Sequence, residues 1–288
     1  LKIIMKILET EGWEDYELLD SGNGHRLERY GQFVLSRPDP QAIWLPCLPS
    51  ADWNSANAKF LNDKWQTSSR FPKSWNISYH SLTFKLFLTS FKHTGLFPEQ
   101  HLHWDWITSR ISNASEKQPH ILNLFGYTGA ASLAAVKAGA RVTHVDASRS
   151  AIAWAKENQA LCGFSDTSIR WIVDDALTFV SREIRRGVRY DGIIMDPPVY
   201  GHGPNKEIWD FSRSFPKLLS ACKEVLSPAP LFVIANAYAI SSSAIMLGNL
   251  FEDQFNSLGG KVEYGELAIE EKSRKRLLST GIFAKWHV

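Results

Sequence analysis

Short acidic, glycine-containing or proline-containing segments follow four successive apolar runs in the second half of the sequence. They are Phe125-Gly126-Tyr127-Thr128-Gly129, Asp146-Ala147, Asp175-Ala176 and Asp196-Pro197-Pro198. In open α/β sheets, ligands bind at the carboxyl ends of the parallel strands, where such segments lie. The arrangement therefore predicts a ligand site built from the ends of four strands.

Two glycines in the first segment allow the backbone to approach a ligand closely. Their G-x-x-G spacing differs from the G-x-G-x-x-G pattern of dinucleotide-binding turns, and Leu133 stands where a third glycine would be needed. The spacing therefore disfavours pyrophosphate binding. The alternative for Gly126 and Gly129 is a tight connection without a ligand.

The acidic residues of the next two segments suit the polar groups of a nucleoside. Asp146, 20 residues after Gly126, could accept hydrogen bonds from a ribose 2′,3′-diol. Its alternative role is to cap the helix that follows, which Ser148 could also do. Asp174 or Asp175 could accept from an exocyclic amine such as adenine N6, while the other caps the next helix.

The fourth segment continues as Val199-Tyr200-Gly201-His202. Two prolines hold a rigid loop outside the sheet. We expect Asp196 and the backbone at Pro197 to orient a bound substrate and to accept its proton or hydrogen bond. Tyr200 is a candidate for stacking on a planar substrate group. His202 could contact the substrate, although an exposed loop histidine more often has no such role.

These segments lie in a regular alternation of strands and helices. The predicted strands are 121–125, 141–145, 169–173, 190–195, 231–237, 262–269 and 277–286. The predicted helices are 130–137, 148–161, 176–186, 208–226 and 241–258. Parallel neighbours need crossover connections, so the alternation predicts an α/β fold with a mostly parallel, seven-stranded sheet. The last two strands have no helix between them and should form an antiparallel hairpin.

The first part of the chain has a different character. Short strands and turns over 14–45 indicate a small antiparallel β unit, and the prolines between Arg37 and Pro49 indicate a linker. Residues 73–91 predict a further hairpin, and a helix should open at Trp104. We therefore expect a β unit at 1–50, a connecting region at 51–115 and the core domain at 116–288.

Composition sets wider limits on the function. The 288 residues carry a net charge of +2, so the chain is not a polycation that coats nucleic acid, and a nucleic-acid partner would need a local basic patch. The three cysteines are too far apart for a zinc site or a disulfide framework, and no apolar run is long enough to span a membrane. We expect a reduced, cytoplasmic protein. The first residue is Leu, so the numbering could begin within a longer product.

The four segments together resemble those of class I S-adenosylmethionine-dependent methyltransferases. More narrowly, they are similar to bacterial large-subunit rRNA methyltransferases of the cytosine-C5 and guanine-N7 type, in which Lys-Thr-Gly-x-Phe-x-Asp-Gln precedes the core. Here that segment reads His93-Thr94-Gly95-Leu96-Phe97-Pro98-Glu99-Gln100, with His for Lys and Glu for Asp. The resemblance implies a Rossmann-like fold, S-adenosylmethionine as cofactor and RNA, specifically rRNA, as partner.

The resemblance also assigns residues to the cofactor. Thr94, Gly95, Phe97 and Gln100 should cover its methionine moiety. Phe125, Gly126, Tyr127 and Gly129 should form the turn, Asp146 and Ala147 should contact the ribose, Asp175 and Ala176 the adenine, and Asp196 should lie near the sulfonium. No metal is implied.

Two departures from the family limit what can be carried over. No RNA-binding PUA domain is recognisable in the N-terminal β unit. Cytosine-C5 methylation needs a cysteine nucleophile, but the fifth strand ends in Ala235-Asn236-Ala237-Tyr238. We interpret Cys47, Cys162 and Cys222 as packing residues, so we expect a non-covalent, in-line methyl transfer.

Several alternatives stay open at this point. The acceptor could be a protein or a small molecule, the protein could be an NAD-dependent oxidoreductase, or it could bind cofactor or RNA without catalysis. The basic clusters, Arg182, Arg185, Arg186 and Arg189 and then Lys272, Arg274, Lys275 and Arg276, are typical of charged surfaces. The second of them could also meet phosphate.

Overall fold

The computed structural model describes residues 5–115, 118–238 and 242–288. The chain divides into two compact units. The large unit comprises residues 1–7, 103–266 and 281–288, and the small unit comprises residues 8–102 and 267–280. The small unit is thus formed by a continuous stretch and a returning segment from the C-terminal part of the chain.

The small unit contains a five-stranded sheet in the order β2-β3-β4-β5-β6. Its elements are β2 (Tyr16–Gly22), β3 (His25–Tyr30), β4 (Phe33–Pro38), α1 (Ser50–Asn54), β5 (Ala58–Leu61) and β6 (Lys64–Thr67). The first three strands confirm the predicted antiparallel β unit. The sequence did not predict β5 and β6. The connection through α1 brings β5 parallel to β4, with Leu35 opposite Ala58.

A second hairpin in this unit confirms the prediction for residues 73–91. It consists of β7 (Trp75–Tyr79) and β8 (Leu82–Leu86), in which alternate residues of β7 are buried. A short 3-10 helix (Pro98–Gln100) then leads directly into α2 (His101–Ser112), which begins three residues before Trp104, where the sequence predicts its start.

An eight-stranded sheet has the order β1-β16-β17-β15-β12-β9-β10-β11. Its strands are β1 (Lys6–Thr10), β9 (His120–Leu124), β10 (Arg141–Asp146), β11 (Ile169–Val173), β12 (Gly192–Met195), β15 (Phe232–Ala237), β16 (Lys261–Glu270) and β17 (Leu277–His287). The strands from β11 to β15 in this order are parallel neighbours, and β17 is antiparallel to β15. This confirms the mostly parallel α/β sheet. The eighth strand, β1, was not predicted.

Helices follow the parallel strands as expected. They are α3 (Ala130–Lys137), α4 (Arg149–Leu161), α5 (Ala176–Arg186), α6 (Phe211–Glu224) and α7 (Ala244–Phe255), with a 3-10 turn at Asn256–Leu258. The prediction of helix for Ile208–Asp210 is wrong. These residues form β14, which pairs with β13 (Tyr200–His202) in a separate antiparallel hairpin.

The core of the large unit packs apolar side chains of the sheet against α5, α6 and α7. Every residue of β12 and β15 is buried, which is typical of strands covered on both faces. This burial fixes the strand ends, so the loops beyond them hold defined positions. Among the described residues, no helix is long and apolar enough to cross a membrane.

Candidate functional site

The turn between β9 and α3 has an unusual backbone. Phe125 and Tyr127 have φ values of 56° and 48°, and Gly129 has a φ of 90°. Non-glycine residues pay about 1 kcal/mol or more for this left-handed conformation, and such residues cluster at functional sites. The turn is held by backbone hydrogen bonds from Gly126 to Val145 (3.1 Å) and from Gly129 to Gly126 (3.0 Å).

Gly126 is required by the side chain packed beneath it. A Cβ at this position would overlap the imidazole of His144, which is fully buried in β10. The Nδ1 atom of His144 lies 2.9 Å from the Ser132 hydroxyl. That hydroxyl accepts a hydrogen bond from Nδ2 of Asn123 at 2.8 Å. Burial lowers the pKa of His144 to about 3, so the ring is neutral at physiological pH. The absent side chain leaves room for the turn to lie directly on this ring.

Asp146 ends β10 with its carboxylate turned toward the same turn. Its Oδ2 accepts the backbone N–H of Tyr127 at 2.8 Å, and its Oδ1 accepts that of Ser148 at 2.8 Å. Burial raises the pKa of Asp146, while these two N–H donors oppose the rise. Each carboxylate oxygen retains acceptor capacity, because each has two lone pairs. Ala147, which follows, is half-buried.

Ser148, rather than Asp146, caps α4, because its hydroxyl accepts from the Ala151 amide at 3.2 Å. Of the two roles that the sequence leaves open for Asp146, the helix-capping role therefore belongs to Ser148. At the end of β11, Asp175 caps α5 by accepting from Thr178 N at 2.8 Å. Asp174 forms an ion pair with Arg182 on α5. Ala176 is buried at the first position of that helix.

The loop after β12 adjoins the glycine turn. The backbone N–H of Asp196 donates to the carbonyl of Leu124 over 3.3 Å, which places the two strand ends side by side. Pro197 is buried and Pro198 is exposed. Trp209 joins both segments, since its Nε1 donates to the Pro198 carbonyl (2.7 Å) and its ring packs edge-on against Phe125 (centroids 4.8 Å apart).

The hairpin β13–β14 presents exposed side chains beyond this loop. Tyr200 is 56% exposed, and its ring lies 5.2 Å from that of His202 in a T-shaped arrangement. Ile208, directly opposite His202 in the register, is 68% exposed. An exposed aromatic ring beside a rigid carboxylate loop can stack on a planar acceptor.

Two residues with hydrogen-bonding side chains, Trp209 and Asn236, are not assigned to the site by the sequence. The sequence predicts a helix at Trp209, and a helix would not bring its indole to the Pro198 carbonyl. Asn236 is the next-to-last residue of β15, the neighbour of β12, and is buried with an Oδ1 that accepts no hydrogen bond within the described part of the chain. An amide side chain within an otherwise apolar predicted strand is the feature of the sequence that could have identified Asn236.

The segment assigned to the cofactor by resemblance lies in the small unit. Thr94 and Gln100 are buried, Gly95 has a φ of 99°, and Phe97 lies 5.3 Å from the His93 ring. Burial and the nearby Arg37 and Lys92 lower the pKa of His93 to about 4. A neutral imidazole thus occupies the place of the family's lysine. The cofactor contacts of this segment stay a prediction.

The thiols do not supply a nucleophile beside the loop. Cys222 lies buried in α6 with its Sγ 3.9 Å from Met195 Sδ, and burial raises its pKa. A buried thiol in apolar surroundings is unreactive. Cys162 follows α4, and Cys47 is exposed in the small unit. Among the described residues, no group of histidine, cysteine and acidic side chains could hold a metal ion.

The large unit therefore brings together the glycine turn, the half-buried carboxylate of Asp146, a further carboxylate at Asp175, and the acidic loop beside the turn. A profile of the family described as "S-adenosylmethionine-dependent methyltransferase" matches residues 62–253. Ribosomal RNA large subunit methyltransferase K/L of Shewanella baltica is 37% identical over 261 residues. That match covers 82% of this chain and 36% of the relative, so the chain spans about a third of its length.

Solved structures give the same result. The SAM-dependent methyltransferase of Agrobacterium tumefaciens is 42% identical, with a TM-score of 0.95 over 98% of this chain and 93% of that one. A methyltransferase candidate solved with SAH is 21% identical, has a TM-score of 0.69 and covers 94% of this chain and 75% of that one. The second likeness concerns the fold alone.

Proposed function

The chain belongs to the S-adenosylmethionine-dependent methyltransferase family, and we propose that it transfers the methyl group of this cofactor to a nitrogen atom of ribosomal RNA. The observation that carries the proposal is the adjacency of the Asp196-Pro197-Pro198 loop to the Phe125-Gly126 turn, through the Asp196–Leu124 hydrogen bond. This adjacency would bring an acceptor bound at the loop next to a cofactor bound at the turn.

The residues of the large unit fit the cofactor. Gly126 lets the turn pack directly on His144, and Gly129 supplies a left-handed φ of 90° beside Ala155. Phe125 and Tyr127 supply the other left-handed positions of the turn, whose backbone would border the cofactor. Asp146 would accept the ribose hydroxyls on the lone pairs that its two backbone donors leave available. Ala147 would border the ribose, and Asp175 with Ala176 would border the adenine. One Asp175 oxygen is engaged by Thr178 N, which leaves the other for a purine amine.

The acceptor loop is rich in hydrogen-bond acceptors. Its two prolines have no N–H group to donate. The Pro197 carbonyl and the ionised Asp196 carboxylate can only accept hydrogen bonds. Such a set of groups fits an acceptor that carries N–H, such as an exocyclic amine or a ring imino group. It fits a carbonyl oxygen poorly. Because Tyr200 is the proposed stacking partner of a base, we take a base nitrogen rather than a ribose hydroxyl as the nucleophile.

The bound cofactor supplies an electrophilic methyl group on its sulfonium. Asp196 would accept a hydrogen bond from the acceptor N–H and so direct the nitrogen lone pair toward that methyl group. A nitrogen that accepts the methyl group would gain positive charge, and Asp196 would take its proton before passing it to water. Pro197 would orient the acceptor through its carbonyl, and Tyr200 would stack on the base.

The burial of the Cys222 thiol, which packs on Met195 just before the loop, supports a non-covalent route. Cys222 is enclosed in the core, and β15 ends in Asn236-Ala237 rather than in a cysteine. The choice of rRNA rests on the large-subunit rRNA methyltransferases that match this chain. A protein or small-molecule acceptor is the competing outcome of the experiment below.

The test is methyl transfer from radiolabelled S-adenosylmethionine to unmodified large-subunit rRNA transcribed in vitro, with transfer RNA and total protein as parallel acceptors. We expect label in the rRNA, lost in Asp196→Asn and Tyr200→Ala but retained in Tyr200→Phe, which keeps the ring. Ile208→Ala serves as the control for an exposed residue of the same hairpin. Label in protein alone would refute the RNA acceptor and leave the family assignment intact.

A further inference from the structure

We infer that an open pocket at the amino-terminal edge of the parallel strands binds phosphodiester groups of the RNA substrate. The inference rests on the proposed function and adds a second contact region for the RNA, away from the methyl-transfer site. The pocket has a volume of about 380 Å³ and lies entirely in the large unit. It is lined by His120, Arg141, Thr143, Arg170, Val188 and Arg189.

The position of the pocket follows from the strand order. His120 begins β9, Arg141 begins β10 and Arg170 is the second residue of β11, while Arg189 lies just before β12. In a parallel sheet these starts share one edge, opposite the edge that carries the glycine turn and Asp196. Three arginines from different elements thus surround one opening.

Not all of this charge is neutralised by neighbouring carboxylates. Glu183 on α5 is fully buried and accepts from Arg170 (3.2 Å), Arg186 (3.1 Å) and the Tyr190 hydroxyl (2.7 Å). Asp191 accepts the backbone N–H of His120 at 2.8 Å.

Arg141 and Arg189 make no ion pair within the described ranges, and the only acceptor bonded to the Arg189 guanidinium there is its neighbour's carbonyl. Both side chains are exposed. Burial and Arg141 lower the pKa of His120 to about 4, so the histidine adds no charge at neutral pH. The two unpaired guanidinium groups therefore give the pocket its positive charge.

Phosphate is the anion that this arrangement fits. A guanidinium presents a planar fork of donors that matches two phosphate oxygens. The chain as a whole carries only +2, so a local basic pocket is what a nucleic-acid partner would require.

The two edges of the sheet are separated by the length of a strand. Six residues of β10 span roughly 17 Å at about 3.3 Å per residue. A single nucleotide at the methyl-transfer site could not also reach the pocket, whereas a polymer of several nucleotides could. The pocket therefore fits the backbone of an extended RNA.

The experiment compares two variants with the same change in net charge. Arg141→Gln/Arg189→Gln removes the two unpaired guanidinium groups and leaves the Glu183 ion pairs in place. The control, Lys137→Gln/Arg185→Gln, removes two exposed charges that do not line the pocket. For each protein, binding to radiolabelled, unmodified large-subunit rRNA is measured by filter binding over a range of salt concentrations, and S-adenosylhomocysteine binding by calorimetry.

We expect the pocket variant to bind the rRNA on the order of tenfold more weakly, with the slope of log affinity against log salt reduced by about 1.5. The control should stay within about twofold of wild type, and all three proteins should bind S-adenosylhomocysteine equally. Equal losses in both variants would overturn the inference, because they would show a diffuse charge effect.

Two further outcomes separate the inference from the proposed function. If the wild-type protein binds S-adenosylhomocysteine but no rRNA, the RNA acceptor itself is refuted. If wild type binds rRNA and the pocket variant binds it equally, only the pocket is refuted. Calorimetric titration with inorganic phosphate completes the test, because saturable phosphate binding without any loss of rRNA affinity in the variant would identify a site for a small anion.

Discussion

Tyr127 donates its backbone N–H to Oδ2 of Asp146 over 2.8 Å, so the turn after β9 is bonded to the side chain that ends β10. Tyr127 has a φ of 48°, and this hydrogen bond is one of the contacts that hold its left-handed backbone. The same carboxylate also accepts from Ser148 at the start of α4. One side chain thus bonds two connections, and it is the side chain proposed to bind the ribose.

Asp146→Ala should weaken S-adenosylhomocysteine binding by roughly a hundredfold. Two hydroxyl hydrogen bonds to a charged carboxylate contribute on the order of 3 kcal/mol, and the turn would also lose a contact. Calorimetric titration measures this change. Asp191→Ala is the matched control, because Asp191 likewise accepts a backbone N–H at 2.8 Å but at the opposite edge of the sheet. An unchanged affinity in Asp146→Ala would refute the ribose role.

Gly126→Ala should weaken both cofactor binding and stability. The added methyl group would overlap the His144 imidazole, and overpacking of this kind costs about 1–3 kcal/mol. The double variant Gly126→Ala/His144→Ala creates space for the methyl group and should recover part of the cofactor affinity. Urea unfolding and S-adenosylhomocysteine titration together measure the coupling between the two positions. Additive losses would show that the two residues do not interact.

The order of elements after residue 120 could be predicted because the local pattern and the fold agree there. Ala130–Lys137, Ile169–Val173 and Ala176–Arg186 have the bounds that apolar spacing indicated. Ile208–Asp210 was misassigned because it immediately precedes α6 and its apolar residues extend the helical pattern. Its strand conformation depends on pairing with Tyr200–His202, a contact that no local pattern reveals.

The burial of charged residues in the small unit could not be predicted from the sequence. Glu28 and Arg37 lie in adjacent strands and are both buried, with Arg37 donating to Glu28 through Nε (2.5 Å) and Nη2 (3.0 Å). In a sequence, such residues suggest a solvated strand face. Their burial results from the surrounding tyrosines and Arg26, which are brought together only by the fold.

Trp209→Phe should lower the rate of methyl transfer while leaving S-adenosylhomocysteine affinity within about twofold of wild type. Phenylalanine keeps a ring against Phe125 but loses the donor to the Pro198 carbonyl, which costs about 1 kcal/mol and frees the acceptor loop. Trp286→Phe is the control, since its indole donates over the same 2.7 Å to the Gly259 carbonyl elsewhere in the large unit. Equal rates for both variants would refute a role for Trp209 in holding the loop.

Glu28→Gln should destabilise the protein by about 3–5 kcal/mol at pH 7, because it leaves the buried Arg37 without its carboxylate partner and leaves Arg26 with Asp39 alone. Burial alone would raise the pKa of Glu28, but Arg26, Arg37 and its hydrogen bonds lower it to about 2. Urea unfolding followed by tryptophan fluorescence measures the loss. Glu17→Gln is the control, because Glu17 pairs with Arg29 and Lys272 at the surface and should lose less than about 1 kcal/mol.

The lowered pKa of Glu28 also sets the pH range of its contribution. In the unfolded chain the carboxyl group has its ordinary pKa of 4.5, so the unfolded state binds the proton more readily and the stabilisation is complete only above that value. It is lost as the pH falls from 4.5 toward 2. The difference in unfolding free energy between wild type and Glu28→Gln should therefore shrink by about 2 kcal/mol between pH 7 and pH 3. A difference that stays constant over this range would show that the Glu28 carboxylate is not held ionised by the two arginines.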